Sequence, residues 1–169
     1  MKPLEHPNSF YLIAAEGWLE LGDHLEANEE LERISAELRG HPDVLHVRWR
    51  VFAAARKWEA AAEIAQGICQ LAPDEQFGWI HLSYSLHEIK RTKEALDTLL
   101  HVASRFPNNW LVAYNLACYQ TQLGALEEAW RWLGYAMDKA DRKEIKLKAL
   151  DDLDLEPLWR RIGELRDQC

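Results

Sequence analysis

The sequence predicts an all-α chain, an α-solenoid of four tandem helical hairpins followed by a C-terminal cap, and three observations carry that reading. Ala27, Ala61, Ala95 and Ala129 recur every 34 residues. Around each alanine the same apolar positions return, Leu31, Ala65, Leu99 and Leu133, then Ile34, Ile68, Val102 and Ala136. Each unit also holds two apolar stripes at helical spacing, separated by a short polar break. A fixed period without insertion or deletion marks stacked helical repeats, none of which buries its apolar face alone. The units run 8–41, 42–75, 76–109 and 110–143, with a capping segment over 144–169, read together as one domain.

Unit one places Tyr11, Ala14, Ala15 and Trp18 on its first helix and Ala27 on its second; Arg39 stands where a helix-ending proline is expected, so a longer exit turn follows. In unit two, Val44 to Val51 alternates like a strand, but Leu45, Trp49 and Phe52 also satisfy i, i+4, i+7, and Ala53 to Ala55 continue as helix formers. The reading there is helix. Arg48 and Trp49 occupy positions that hold a large apolar and a small residue in the other units, which puts the packing of unit two in question. Unit three is the most regular. Trp79, Leu82, Ser83 and Leu86 form one stripe and Ala95, Leu99, Val102 and Ala103 the next; Thr92 is the expected cap between them, and Pro107 ends the second helix near Arg105. Unit four repeats the pattern with Ala113, Leu116, Ala117, Gln120 and Ala129, and has Asp141 in place of the proline. In the cap, Ile145, Leu147, Ala149 and Leu150 continue a helix. Asp154 is the expected N-cap of a last helix carrying Leu158, Trp159, Ile162 and Leu165, with Pro157 in its first turn.

The spaced alanines reflect close helix crossings, where a larger side chain overpacks at about 1 to 3 kcal/mol per site. Trp18, Trp79, Trp132 and Trp159 read as core, while Trp58 and Trp110 suit joints between units.

In this register residues 8–143 resemble the tetratricopeptide repeat family, whose pattern asks for an aromatic at position 4, a large then a small residue at 7 and 8, Ala at 20 and Pro at 32. The string LDDLDLEPLW resembles the segment found after many bacterial arrays of this family. The resemblance implies a right-handed superhelix whose concave face grips an extended peptide or a helix. It assigns that groove to positions 2, 5, 9, 12 and 13 of each first helix, with position 6 beside them. On this basis the candidate partner-binding residues are His46, Arg50, Phe77, Ile80, Tyr84, His87, Tyr114, Asn115, Cys118 and Gln122. Phe77, Ile80, Tyr84 and Tyr114 suit apolar side chains; Arg50, His46 and His87 suit a carboxylate or peptide carbonyls. The carboxylate clamp of chaperone-tail-binding members is absent, with Leu12 and Glu16 replacing its first pair and Val47 its asparagine.

Composition narrows the function classes. A net charge of −8 and pI near 5.4 argue against a phosphate-backbone partner, so nucleic acid is not expected. The first 40 residues are the most acidic stretch. Cys69, Cys118 and Cys169 lack CxxC spacing, which suggests neither a disulfide framework nor a zinc site and fits a reducing compartment. None of the seven histidines pairs at i, i+4, no Gly-rich phosphate loop is present, and no nucleophile motif is found, so neither enzyme, metal nor cofactor is expected. The start MKPLEHPNSF lacks a signal-peptide pattern and no apolar run approaches the roughly 18 residues of a membrane span, which points to a cytoplasmic, soluble protein. The expected role is an adaptor for a protein or peptide partner. Alternatives are a small secretion-type chaperone for a hydrophobic client, a homo-oligomer assembling end to end, or, from another class, a small enzyme or metal protein.

Overall fold

In the computed structural model the described residues are 3–165; Cys169 and the last residues of the expected cap lie outside them. Ten α-helices are present among the described residues: α1 Asn8–Glu20, α2 His24–Glu32, α3 Pro42–Ala54, α4 Trp58–Leu71, α5 Gln76–Glu88, α6 Thr92–Ala103, α7 Trp110–Gln122, α8 Leu126–Lys139, α9 Arg142–Asp151 and α10 Trp159–Gly163. Two 3-10 stretches, Ala36–Leu38 and Leu153–Leu158, complete them. The first helices of the four units begin at residues 8, 42, 76 and 110 and the second helices at 24, 58, 92 and 126, each series 34 apart. The repeat read from the alanines is thus the repeat of the backbone. Val44 to Val51 is helical, as its i, i+4 pattern requires.

The turn inside every hairpin is built the same way. Gly22, Arg56, Lys90 and Gly124 all have positive φ (82°, 54°, 65° and 81°). Three residues beyond the helix end, an amide closes back onto it: Asp23 to Trp18, Lys57 to Phe52, Arg91 to Leu86 and Ala125 to Gln120, at 2.9 Å each. This is a left-handed C-terminal cap, for which glycine is the unstrained residue. Units two and three make it with Arg56 and Lys90 and carry the strain.

The chain forms two compact units, Met1–Ser85 and Leu86–Cys169, the division falling inside α5. In the first, Ala15, Ala27, Leu31, Ile34, Val44, Val47 and Val51 form a buried cluster, flanked by Leu4, Tyr11, Leu12, Leu19 and Leu38. Its helix α2 is short, and the exit turn is long, as expected. Arg39 stands in for the missing proline by donating to the Glu32 and Ile34 carbonyls at the end of α2 (2.6 and 3.1 Å). Arg48 reaches Glu32 at 2.7 Å, and that hydrogen bond holds the Glu32 carboxyl below its usual range.

A second cluster explains the irregular unit two. Trp49 packs with Ala61 and Ala65 and with half-buried Phe52, Ala53, Trp58, Ile64, Phe77 and Leu82. Its position is held by Ala15, Ser83 and Ala117 in the other units, all fully buried, whereas Ala65 stands where Leu31, Leu99 and Leu133 stand. Unit two therefore exchanges a small residue for Trp on one helix and a leucine for Ala on its partner. The volumes offset each other. At Gly78, a Cβ would meet the Cys69 backbone nitrogen at 2.9 Å, so glycine lets α4 and α5 approach.

The second unit centres on α7, where every residue from Val112 to Tyr119 is buried. Buried Leu99, Val102, Leu133, Ala136, Ile145 and Ala149 belong to the same unit. Residues 152–163 contribute Leu155, Leu158 and Ile162 at 0, 3 and 0% exposure.

Three local expectations are corrected. Thr92 does not cap α6; Arg91 is the N-cap residue without a side-chain bond, and the Thr92 hydroxyl lies 2.9 Å from His87 Nδ1 instead. Asp152, not Asp154, is the capping carboxylate of the last segment, accepting from the Asp154 amide at 3.0 Å. Pro157 falls within a 3-10 stretch and the final helix starts after it, because a proline ring conflicts with a continuing α-helix. Trp18 is 36% exposed and Trp79, Trp132 and Trp159 are only half-buried, so these four are not core residues; Trp49 is the buried tryptophan among the described residues.

Candidate functional site

The ten groove residues divide five and five between the two compact units, and the two sets have opposite surroundings. In the first unit, α3 and α5 build an aromatic shelf. The His46 ring stacks on Phe77 with centroids 3.4 Å apart, and His81 lies 3.8 Å from Phe77 and 3.6 Å from Trp49. Trp58 meets Tyr84 edge-on at 5.5 Å. Tyr84 is 37% exposed and His46 is exposed, Phe77 and Arg50 are half-buried, and Ile80 is buried. The Trp49 indole donates to the Ser85 hydroxyl at 3.0 Å, fixing the shelf's inner edge.

This shelf is neutral in its rings and cationic at one corner. Burial pushes His81 down to about 3, aided by His46 and Arg50; burial and the Arg50 charge push the more exposed His46 down to about 4. Both rings are uncharged at neutral pH. His81 Nδ1 is buried without a hydrogen-bond partner. Arg50 lies 3.7 Å from Glu16, both side chains more than a third exposed, a pairing that contributes at most about 1 kcal/mol and leaves the guanidinium free to exchange partners.

In the second unit the chain itself covers the equivalent positions. Tyr114, Asn115, Cys118 and His87 are 2, 8, 5 and 5% exposed. The turn after α9 lies on them: Tyr114 donates to Asp152 Oδ2 at 2.8 Å, the Cys118 thiol points to the same oxygen at 3.8 Å, and Gln122 donates to the Asp154 carbonyl at 2.9 Å. His87 Nε2 lies 2.9 Å from Asp154 Oδ2. Burial and the two aspartates raise the Cys118 thiol well above its ordinary value, and burial is the first cause that raises the Tyr114 phenol. Leu155, Leu158 and Ile162 anchor this cover; at roughly 1.5 to 3 kcal/mol per buried side chain they hold it with an energy comparable to a domain's whole stability. The cover is therefore part of the fold.

Sequence reasoning missed Trp49, His81 and Trp58 on the shelf and Asp152 and Asp154 on the cover. Trp49 carried a signal, since it broke the small-residue rule of its position. Of the aspartates, Asp154 read only as a helix N-cap, and nothing local pointed Asp152 toward α7. As for the thiols, Cys69 is also raised, to about 11, by burial, so both described cysteines are protonated and poor nucleophiles. Among the described residues no helix is long and apolar enough to cross a membrane.

No protein-family model and no curated protein matches the sequence. Solved structures do. Residues 41 to the end of MamA from Desulfovibrio magneticus RS-1 superpose with TM-score 0.73 at 18% identity, covering 96% of this chain and 97% of that one. MamA MSR-1 gives 0.67 at 16% identity over 95 and 97%, and MamA AMB-1 gives 0.66 at 17% over 94 and 91%. At such identities the likeness concerns the fold. With the 34-residue backbone period and its repeated turn, it shows that this chain has the all-α tetratricopeptide-repeat fold.

Proposed function

We propose that this protein is a non-enzymatic adaptor that docks an extended segment or helix of a partner protein on the α3/α5 shelf of its first compact unit. The tetratricopeptide fold is a protein-interaction scaffold in general. The observation that carries the finer reading is the shelf itself: His46, Phe77 and Tyr84 offer aromatic surface beside a loosely held Arg50, the mixture of large aromatic and Arg that dominates protein interfaces. The five candidates of the second unit, His87, Tyr114, Asn115, Cys118 and Gln122, enter this reading as the seat of the chain's own residues 152–155, which occupy the positions a partner would use. The protonated thiols speak for binding over nucleophilic catalysis.

The test is capture from the native host's lysate by the wild type, by an Arg50→Glu/Tyr84→Ala variant and by Gln122→Ala, with equal helicity confirmed for all three. A partner kept by the wild type and Gln122→Ala and lost by the double variant supports the shelf. Equal capture by all three places binding elsewhere, with the acidic first hairpin next in line. A second reading rests on α1, the turn after it and the start of α2, where Phe10, Ile13, Leu21 and Leu25 are 58, 66, 76 and 69% exposed. Such surface suits a hydrophobic client or a second copy of the chain. Light scattering against concentration, with Phe10→Glu/Ile13→Glu as control, distinguishes it: a mass that does not rise with concentration removes the second copy.

A further inference from the structure

Beneath the cover of the second unit, side chains of three metal-donor kinds converge. The Cys118 sulfur and one carboxylate oxygen each from Asp152 and Asp154 lie within 4.8 Å of one another. Cys118 Sγ is 3.8 Å from Asp152 Oδ2, and the imidazole of His87 holds Asp154 Oδ2 at 2.9 Å. They come from separate parts of the unit, Cys118 from the middle of α7, His87 from the end of α5 and the aspartates from the turn after α9. Cys118 and His87 are buried, and the aspartates are half-buried, which leaves a path from solvent.

The spacing is close to that of a small tetrahedral ion: the Cys118–Asp152 pair already fits at 3.8 Å, and the whole set, within 4.8 Å, must draw in by up to about 1 Å. Zinc takes sulfur at about 2.3 Å and carboxylate oxygen at about 2.0 to 2.2 Å, which sets its ligands roughly 3.2 to 3.8 Å apart. A thiolate excludes magnesium and calcium, which prefer all-oxygen shells, and selects a borderline divalent ion. We propose that Cys118, Asp152 and Asp154 bind one divalent transition-metal ion of the zinc class, with His87 orienting Asp154 from behind. On binding, the Cys118 S–H bond breaks, its proton leaves to solvent and the thiolate sulfur becomes a ligand. Lys148, whose ammonium lies 5.3 Å from the Tyr114 ring, is a cation whose charge favours the Cys118 thiolate. The bound ion fastens the turn after α9 to α7 and so staples the second unit shut. Asp152, accepting from Tyr114 and Cys118, already forms a hydrogen-bonded latch among the same groups.

The experiment uses the full chain with Cys169→Ala and titrates it with Co(II), following the thiolate-to-cobalt charge-transfer band and the visible bands of tetrahedral cobalt. The expected result is saturation at one equivalent with both features, proton release to an indicator, and a melting temperature that rises with Zn(II). Cys118→Ser should abolish the charge-transfer band, Cys69→Ala should keep it, and Asp154→Asn should weaken binding at least about tenfold. Asp152→Asn preserves the shape of the latch and should weaken binding likewise, which keeps the test valid if Cys118→Ser folds poorly. No saturable binding at one equivalent, or a band unchanged in Cys118→Ser or in both aspartate variants, overturns the proposal.

Discussion

The α3/α5 shelf of the first unit and the α7 face of the second are built from the same repeat positions, yet one is open and the other closed. Position 9 of the repeat is Arg50 in the first and Cys118 in the second; position 5 is His46 in the first and Tyr114 in the second. The difference comes from the segment that covers, or fails to cover, each face. After α9 the chain turns back over α7 and drives Leu155 and Leu158 into the second unit, so Tyr114 and Cys118 meet the chain's own aspartates. The shelf meets solvent. A repeat position thus does not decide its own role, since the covering segment does.

The open shelf depends on the size exchange between Trp49 and Ala65. Trp49→Ala should destabilise the protein by about 3 to 5 kcal/mol, as expected for a buried tryptophan, and should loosen the rings of Phe77 and His81. Ala65→Leu alone should cost about 1 to 3 kcal/mol by overpacking. The double variant should recover part of the sum, because the two sites share one volume; denaturant titration of all four forms measures the coupling.

On the closed face, Leu155→Ala removes an anchor of the cover. It should cost about 2 to 5 kcal/mol and raise amide exchange in α7 while leaving α1 to α3 unchanged. Gly78→Ala should cost about 1 to 3 kcal/mol by thermal melting, since its methyl group would press on the Cys69 backbone.

Acid sharpens the contrast further. His46 and His81 titrate near 4 and 3 when folded but near the ordinary value of about 6.5 when unfolded. Between these limits the unfolded chain binds more protons, so their contribution is full above about pH 6.5 and is lost as pH falls toward 3. His81→Phe keeps the ring and removes the titration and the unpartnered nitrogen. Its melting temperature should fall less between pH 7 and pH 4.5 than that of the wild type; an equal fall contradicts the assignment.

The smallest effect belongs to the turns. Arg56→Gly or Lys90→Gly should gain about 0.5 to 1 kcal/mol by relieving a left-handed residue, measured by denaturant midpoint.

Much of the fold was legible in the sequence. Helix starts at 8, 42, 76 and 110 followed from the alanine period because the four units carry no insertion between them. The turn conformation was half legible, since Gly22 and Gly124 announce a left-handed residue whereas Arg56 and Lys90 conceal one. The tryptophans misled because an aromatic at helical spacing looks the same whether its ring fills a core or lies half-covered on the surface. Arg48 and Trp49 were visible as departures, but their remedy lay in Ala65 and Glu32, which only packing connects to them. The closure of the second unit was not legible, for Asp152 and Asp154 act through a chain reversal that no local periodicity encodes.

The contrast of open and closed faces is tested most directly by thiol labelling of two chains in which Cys69 and Cys169 are alanine. One retains Cys118 as its single cysteine; the other carries Arg50→Cys with Cys118→Ser. Each labelling rate is divided by the rate of the same chain in urea. The structure predicts that the thiol at position 50 reacts nearly as fast folded as unfolded, while Cys118 is strongly protected under native conditions. Equal protection at both positions, or a freely reacting Cys118, would contradict the division into an open shelf and a self-covered face.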